Sequence, residues 1–347
     1  MPAKPPPAAL RLDIDGEALA GNWRALAGLS GKAATGAAVK ADGYGVGARR
    51  AVSVLADAGC RDFFIAHWRE FADLEGLVAP GTVSVLHGPL TPEDAAYGKA
   101  IGLKPVINTL RQAQLWLEAG GGPCDLMVDT AMNRLGLPMA EIGDEAVKRL
   151  EIDVLMSHLA SAEEDVPLNE RQRQKWEEAK AALSFRRSSL ANSAGILLGS
   201  AYHGELTRPG LSLYGGIQRR ELETHIRQVV RPMAAILQVR EIEAGESVGY
   251  NATFVAAQRM RVGTIALGYA DGYLRCWSGK GVMLSQGRRL PVIGRVSMDL
   301  TGVDLTGAPD LGEGDWLEAE YSLPQAATVS RLSQYELLTL LGRRFSR

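Results

Sequence analysis

GAAVKADGYGVGA (residues 36–48) begins as a short apolar run and ends in alternating glycines. Seven more apolar runs follow it: DFFIA (62–66), VSVLHG (83–88), LKPVIN (103–108), DLMVDT (125–130), DVLMSH (153–158), SSLANS (188–193) and ELTRPG (205–210). Continuous runs of this length suit strands buried on both faces of a parallel sheet. Segments of helical period separate them. Thr109 to Ala119 follows an Asn-Thr start, Pro138 is placed to open a helix at its first turn, and Asn169 to Leu183 is long and charged. Eight strands joined by helices predict a (β/α)8 barrel of the TIM type, about 200 residues long. We assign it to residues 10–225.

The pattern changes after about Arg220. MAAILQVREIEAGESVGY, RVGTIALGYADGY and RRLPVIGRVSMDLTGVDL are Val/Ile/Leu runs broken by glycine and polar turns. They predict a mainly antiparallel β domain over residues 226–347. Ser333 and Glu336 form an S-x-x-E box for a last helix running to about Leu341. Residues 1–9 form a Pro/Ala-rich stretch expected to be flexible. It lacks the apolar centre of a signal peptide, and no run approaches the roughly 18 apolar residues of a spanning helix. A cytoplasmic location is expected, with no membrane partner.

The chain has 347 residues, with 38 Lys+Arg against 40 Asp+Glu and a formal net charge of −2. That balance argues against a nucleic-acid surface, which concentrates positive charge to neutralise phosphates. Cys60, Cys124 and Cys276 are odd in number and far apart, which excludes a disulfide scaffold and fits a reducing compartment. No metal site is read. Glycine is in excess, 39 of 347 residues or about 11%, against about 7% in average proteins. Such a surplus marks tight turns, or places where backbone passes close to something else.

Barrel enzymes carry their chemistry at the C-terminal ends of the strands. Lys40 ends the first strand, Arg134 follows the fifth, His158 ends the sixth, Ser193 the seventh, and Arg208 lies in the eighth. Any one of these, taken alone, reads as a solvated rim residue. Five on one rim read as a site. A lysine at the end of an apolar strand is partly desolvated, which lowers its pKa and frees a neutral amine for Schiff-base chemistry. Gly43, Gly45 and Gly47 then let the backbone pass close to a bound group.

AVKADGYGVGA (38–48), VDTAMNRLG (128–136), MSHLASAEE (156–164), ANSAG (191–195) and TRPGLSLYG (207–215) occur in that order. SVGYNATF (247–254), GYADGYLR (268–275) and GRVSMD (294–299) follow them. Together they resemble the motifs of the alanine racemase family, pyridoxal-phosphate enzymes built from a barrel and a β domain. The resemblance runs from about Leu10 to Leu341. It implies pyridoxal 5'-phosphate as cofactor, with Lys40 as the lysine that carries it and Tyr44 reaching its phosphate. It implies Arg134 at the cofactor's phenolic oxygen and the substrate carboxylate, and His158 near the pyridine ring. Asn192 and Ser193 would form the phosphate turn, where free N–H groups at a helix start favour an anion. Arg208 would face the pyridine nitrogen, and Gly210 and Leu211 would offer backbone contacts to the phosphate. In the β domain Tyr250 would be the second catalytic base and Met298 would bind the substrate carboxylate through its N–H. Tyr269, Arg275 and Arg295 would line the access passage, and Tyr335 would reach the phosphate.

The implied activity is racemisation of alanine, supplying D-alanine for peptidoglycan, in a homodimer whose partner completes each site. Inverting a stereocentre removes a proton from one face and returns it on the other, so two bases serve better than one. An unperturbed tyrosine has a pKa near 10, so Tyr250 would need positive charge nearby, from an Arg208 and His158 network. Three positions depart from the family pattern. Met127 stands where a carbamylated lysine is common, Ala131 where glycine is frequent, and Ser297 where cysteine is common. A racemase of serine or of broad specificity is the rival within enzymes. A single-barrel pyridoxal-phosphate protein acting in cofactor homeostasis is the rival of another class, and it would lack VGYNATF and GRVSMD.

Overall fold

The computed structural model describes residues 8–342 and 344–346. Residues 1–7, most of the stretch expected to be flexible, lie outside the described residues. Ala9 is tied down, since its carbonyl accepts from Ala235 N–H at 2.9 Å. The chain forms two units. One is Gly16–Arg227, and the other joins the segment ending at Asp15 to the chain from Gln228 onward.

Within the first unit a strand overlaps each of the eight apolar runs: Ala34–Thr35 with Ala37–Ala38, Phe63–Ile65, Val83–Val85, Lys104–Ile107, Pro123–Asp129, Glu151–Met156, Arg187–Ser189 and Leu206–Thr207. They pair parallel, in register such as Phe63 with Val83 and Leu126 with Leu155. The ring closes because the first strand is shared. Ala34 and Thr35 pair with Leu206 and Thr207, while Ala37 and Ala38 pair with Phe63 and Phe64. Gly36 sits at the changeover, where a Cβ would lie 2.8 Å from the Asp62 carbonyl. Between the seventh and eighth strands, Arg208 N–H donates to Ala191 O and Glu205 N–H to Ser188 O, both at 2.9 Å. This is the (β/α)8 barrel.

Thr109 caps the helix Leu110–Glu118, as expected, and the long charged helix read over 169–183 runs Pro167–Ala182, with Pro167 in its first turn. Pro138 opens no α-helix and leads only into the short 3-10 turn Met139–Glu141. It is extended (ψ 144°) in a two-residue strand, and the nearest α-helix, Glu145–Lys148, starts where Asp144 supplies a capping oxygen. The strands' outer faces pack against the helices, with Leu126, Val128 and Leu155 in one cluster with Trp116 and Ala179. Near the strands' N-terminal ends the buried side chains are instead charged. Lys104 Nζ lies 2.6 Å from Asp153, and Arg187 lies 2.8 Å from Asp62 and 3.0 Å from Asp153. Ser84 donates to Asp125 at 2.5 Å.

The second unit is a seven-stranded antiparallel sheet organised by the long strand Val230–Ile242. It pairs with Met260–Ile265 on one side, and Trp316–Ala319 at the far end of the sheet order returns to pair with it, closing a ring of six. Leu10–Ile14 pairs with it too, Leu10 opposite Ala234, so residues 10–15 belong here and not to the barrel. Their burial alternates, with Leu10, Leu12 and Ile14 inward, as suits a strand with one wet face. The capping box forms at Ser333 and Glu336, and its helix is Gln334–Thr339.

The ion network gives a direct test. Lys104→Met would leave Asp153 and Asp125 without their amine. Breaking one partner of a buried pair costs about 3–5 kcal/mol, so the denaturant midpoint should fall clearly. A midpoint within error of wild type would show the network to be dispensable.

Candidate active site

Lys40 follows the first barrel strand, two residues beyond Ala38, and the four residues after it are left-handed: Ala41 (φ 54°), Asp42 (55°), Gly43 (61°) and Tyr44 (58°). A left-handed turn costs non-glycine residues roughly 1–2 kcal/mol each, so bonding around it must hold it in place. Asp42 Oδ1 accepts from Ala48 N–H at 2.8 Å, and Asp42 O from Gly47 N–H at 2.8 Å. Glu70 Oε1 accepts from Ala41 N–H at 2.9 Å. Gly43, Gly45 and Gly47 all have positive φ, which is why glycines alternate here. The turn points the lysine into the barrel mouth.

Two other cations, Arg134 and Arg208, share that mouth with a histidine, His158. Burial lowers the Lys40 pKa, and Arg134 and then Arg208 lower it further, while Glu70 works in the opposite direction. Arg208 is buried and drawn down to about 10 by desolvation. It still carries its charge at neutral pH, and its guanidinium donates to Ser189 O at 2.8 Å, to the Ser189 hydroxyl and to Ser157 O. His158 is held far below its ordinary value, at about 3, by burial and by Arg208, Arg134 and Lys40. It is therefore neutral at pH 7, so of the expected Arg208 and His158 pair only Arg208 brings positive charge. Such a mouth suits an anion.

Beside it lies a cradle of backbone donors. Ser193 Oγ accepts from Gly210 N–H at 2.9 Å and from Ser212 N–H at 3.4 Å. Ser212 Oγ is buried with no hydrogen-bond partner among the described residues. A Cβ on Gly210 would lie 2.3 Å from the Tyr44 hydroxyl, so only glycine lets these two meet. The Tyr44 ring stacks on Tyr214 at 4.8 Å, and Tyr214 donates to Ala38 O at 2.9 Å. Leu211, also buried, starts the next 3-10 turn. Asn192 Oδ1 caps Gly195 N–H at 2.8 Å, so Asn192 shapes the turn from within.

In the β unit, Tyr250 is 65% exposed on a turn where Gly249, Asn251 and Ala252 have positive φ. A Cβ on Gly249 would lie 3.3 Å from Arg295 N, which sets that turn against Arg295. Tyr269, Arg275 and Met298 form a second group. Ala270 N–H donates to Met298 O at 3.0 Å, and the Arg275 guanidinium lies 5.1 Å from the Tyr269 ring centre. A Cβ on Gly268 would strike Met298 O, at 2.3 Å. Tyr335 lies on the capped helix. Nine of the fifteen expected residues thus lie in the barrel unit and six in the β unit.

The description "Alanine racemase, N-terminal domain" matches residues 14–218, and "Alanine racemase, C-terminal domain" matches residues 229–347. The chain belongs to the alanine racemase family. It is 42% identical to an alanine racemase of Methylobacterium nodulans, over 97% of this chain and 95% of that protein. It is 39% identical to one of Rhizobium meliloti, over 98% and 96%. An alanine racemase of Bartonella henselae with covalently bound pyridoxal phosphate superposes with a TM-score of 0.89 at 33% identity, covering 98% of this chain and 99% of that one. The biosynthetic alanine racemase of Pseudomonas aeruginosa gives 0.85, also at 33%, covering 99% of each.

The three departures from the alanine racemase pattern have structural consequences. Met127 is buried in the fifth strand. Ala131 adopts φ 110°, a region that favours glycine, so this loop carries strain. The loop is held by Asp129 Oδ1, which accepts from Ala131, Met132 and Asn133 N–H at 2.9, 2.8 and 3.1 Å. Ser297 donates to Leu300 O at 2.8 Å. Two further residues escaped the sequence reading. Gln172, on the helix Pro167–Ala182, donates to His158 O at 3.0 Å and accepts from Ala160 N–H at 2.8 Å, fixing the end of the sixth strand. Glu70 follows His67 in H-x-x-E, and histidine is a poor capping signal.

The depressed His158 pKa has a stability consequence of definite sign. The folded state prefers the neutral ring, so this contribution is fully present above the unfolded value near 6.5. It is lost as pH falls from there toward about 3. The slope is at most about 1.4 kcal/mol per pH unit, reduced because the ring is partly exposed. Thermal unfolding from pH 7.5 to 5 should therefore destabilise wild type more than His158→Gln. Parallel curves would contradict the assignment.

Proposed function

We propose that this chain interconverts L-alanine and D-alanine with pyridoxal 5'-phosphate, Lys40 serving one face of the substrate and Tyr250 the other. The observation that carries the proposal is the barrel mouth. A desolvated amine faces two arginines there, and two N–H groups converge beside it on one serine oxygen. The residues fit the cofactor. The Ser193, Gly210 and Ser212 donors, with the unpartnered Ser212 hydroxyl, suit a phosphate, and Tyr44 and Leu211 border them. When bound, pyridoxal phosphate withdraws electrons from the α-carbon of an attached amino acid and so acidifies its α-proton.

The chain's own groups do the rest. Lys40 would hold the cofactor, and its Nζ in the neutral form would take or return the α-proton at one face of the substrate. Its lowered pKa keeps more of that neutral form available near pH 7. Arg134 pairs with the substrate carboxylate, helped by the Met298 N–H. Arg208, which keeps its own proton, would offer an N–H donor to the cofactor's ring nitrogen without protonating it. His158, neutral, packs at the ring. Tyr335 joins the phosphate ligands, and Tyr269, Arg275 and Arg295 narrow the access passage. In this reading Tyr250 is supplied by the second copy of a homodimer. The chain works in the cytoplasm, where the three thiols, unpaired among the described residues, stay reduced.

Purified protein should absorb visible light through its cofactor and lose that band in Lys40→Ala. Single-enantiomer amino acids would then be followed for loss of optical purity. A response to alanine alone is expected; a response to serine as well would favour the broad racemase, and none would end the enzymatic reading. Sharing of the site is tested by mixing two inactive variants, Lys40→Ala and Tyr250→Phe. Activity should return on subunit exchange, and its absence would place both bases in one subunit.

A further inference from the structure

We infer that Glu70, to which the proposed mechanism gives no part, is a positioning residue whose carboxylate holds the backbone that aims Lys40. The inference rests on the proposal that Lys40 carries the cofactor. Glu70 lies in the 3-10 turn Trp68–Asp73, just beyond the second barrel strand. Its Oε2 accepts from Ala66 N–H at 2.7 Å and from His67 N–H at 3.3 Å. Those bonds close its own turn, as an acidic residue at this position commonly does. Its Oε1 does something else. It accepts from Ala41 N–H, 29 residues earlier in the chain, at 2.9 Å.

Ala41 is the first residue of the left-handed turn and the immediate neighbour of Lys40. The carboxylate thus ties the end of the first strand to the end of the second, at the peptide whose orientation directs the lysine side chain. Hydrogen bonds from N–H groups to a carboxylate are among the stronger ones available to backbone. Glutamate supplies oxygens for three donors. Glutamine has one acceptor oxygen and would present an NH2 to at least one of those N–H groups.

The charge acts as well. The groups facing Lys40 are Arg134, Arg208, His158, His87 and Glu70, and Glu70 is the carboxylate among them. It opposes the lowering of the amine's pKa by burial and by the two arginines. Removing that charge moves the amine's titration to lower pH.

The test compares Glu70→Gln and Glu70→Asp with wild type, each first confirmed as folded by circular dichroism. Apo-protein is mixed with pyridoxal phosphate, and uptake is followed by growth of the visible band, with borohydride trapping and mass spectrometry locating it on the Lys40 peptide. Glu70→Gln should load at least about tenfold more slowly, and its kcat should fall with little change in KM for alanine. The limb of its pH profile that reports the Lys40 amine should move down by ~0.5–1 unit. Glu70→Asp, which keeps the charge, should leave that limb in place. Wild-type loading and an unmoved limb in Glu70→Gln would overturn the inference. Should Glu70→Gln not fold, amide exchange in wild-type holoenzyme decides. Ala41 N–H protected as strongly as Ala66 N–H supports the tie, and rapid exchange at Ala41 overturns it. Failure of wild type to load on Lys40 would instead defeat the functional proposal.

Discussion

The barrel closes only because its first strand serves two neighbours, and the candidate site follows from that constraint. Residues 34–35 pair with the eighth strand and residues 37–38 with the second. The switch requires Gly36, since a side chain there would collide with the Asp62 carbonyl. Closure sets Ala38 N–H on Pro209 O, at 2.9 Å. That one bond places Lys40, two residues beyond Ala38, beside the Arg208 to Ser212 segment of the eighth strand's loop. Tyr44 then meets Gly210 at a distance no larger residue tolerates. Cofactor lysine and phosphate cradle are thus brought together by a hydrogen-bond ladder, well before any side chain is chosen.

Charge is distributed along this barrel in two layers. Toward the strands' N-terminal ends, cations and carboxylates pair off within 4 Å, Lys104 with Asp125 and Asp153, and Arg187 with Asp62 and Asp153. At the C-terminal mouth Arg208 bonds only to carbonyls and a hydroxyl among the described contacts. An arginine satisfied by neutral acceptors keeps its full field for a ligand. The acid that counters it is Asp125, in the lower layer, which raises the Arg208 pKa against the effect of burial. Pairing below and unpaired charge above give the barrel one end that is stable and one that is receptive.

What could be read from the sequence was whatever repeats locally. Eight apolar runs bounded by helical segments specify eight buried strands, and the Thr109 and Ser333 caps act within one turn of their own helices. The misplaced helix at Pro138 has the same origin: proline suits a first helical turn but equally an extended residue, and Asp144 was the stronger signal downstream. LRLDI (10–14) alternates strictly, the mark of a half-wet strand, unlike the continuous runs of the barrel. Its partner lies more than 200 residues away, at Ala234, so proximity in sequence misassigned it. The lower ion network and Glu70 were illegible for a related reason. Each joins groups contributed by different strands, and no spacing along the chain announces them.

Met127 stands where the family pattern leads one to expect a supporting lysine, and the loop that bears Arg134 is held by other bonds. Where a modified lysine is common, this chain places a buried thioether that offers no strong hydrogen bond. The Arg134 loop is instead set by its own backbone. One carboxylate oxygen of Asp129 collects three successive N–H groups, and Gly136 packs against the Asp129 backbone, where a Cβ would lie 2.7 Å from its nitrogen. Ala131, strained at φ 110°, is tolerated because that oxygen holds its N–H. The backbone leading into Arg134 thus rests on main-chain bonds to Asp129 that do not involve the side chain at 127. A side-chain support can be lost from such a site when the loop bearing the arginine is already fixed at its base.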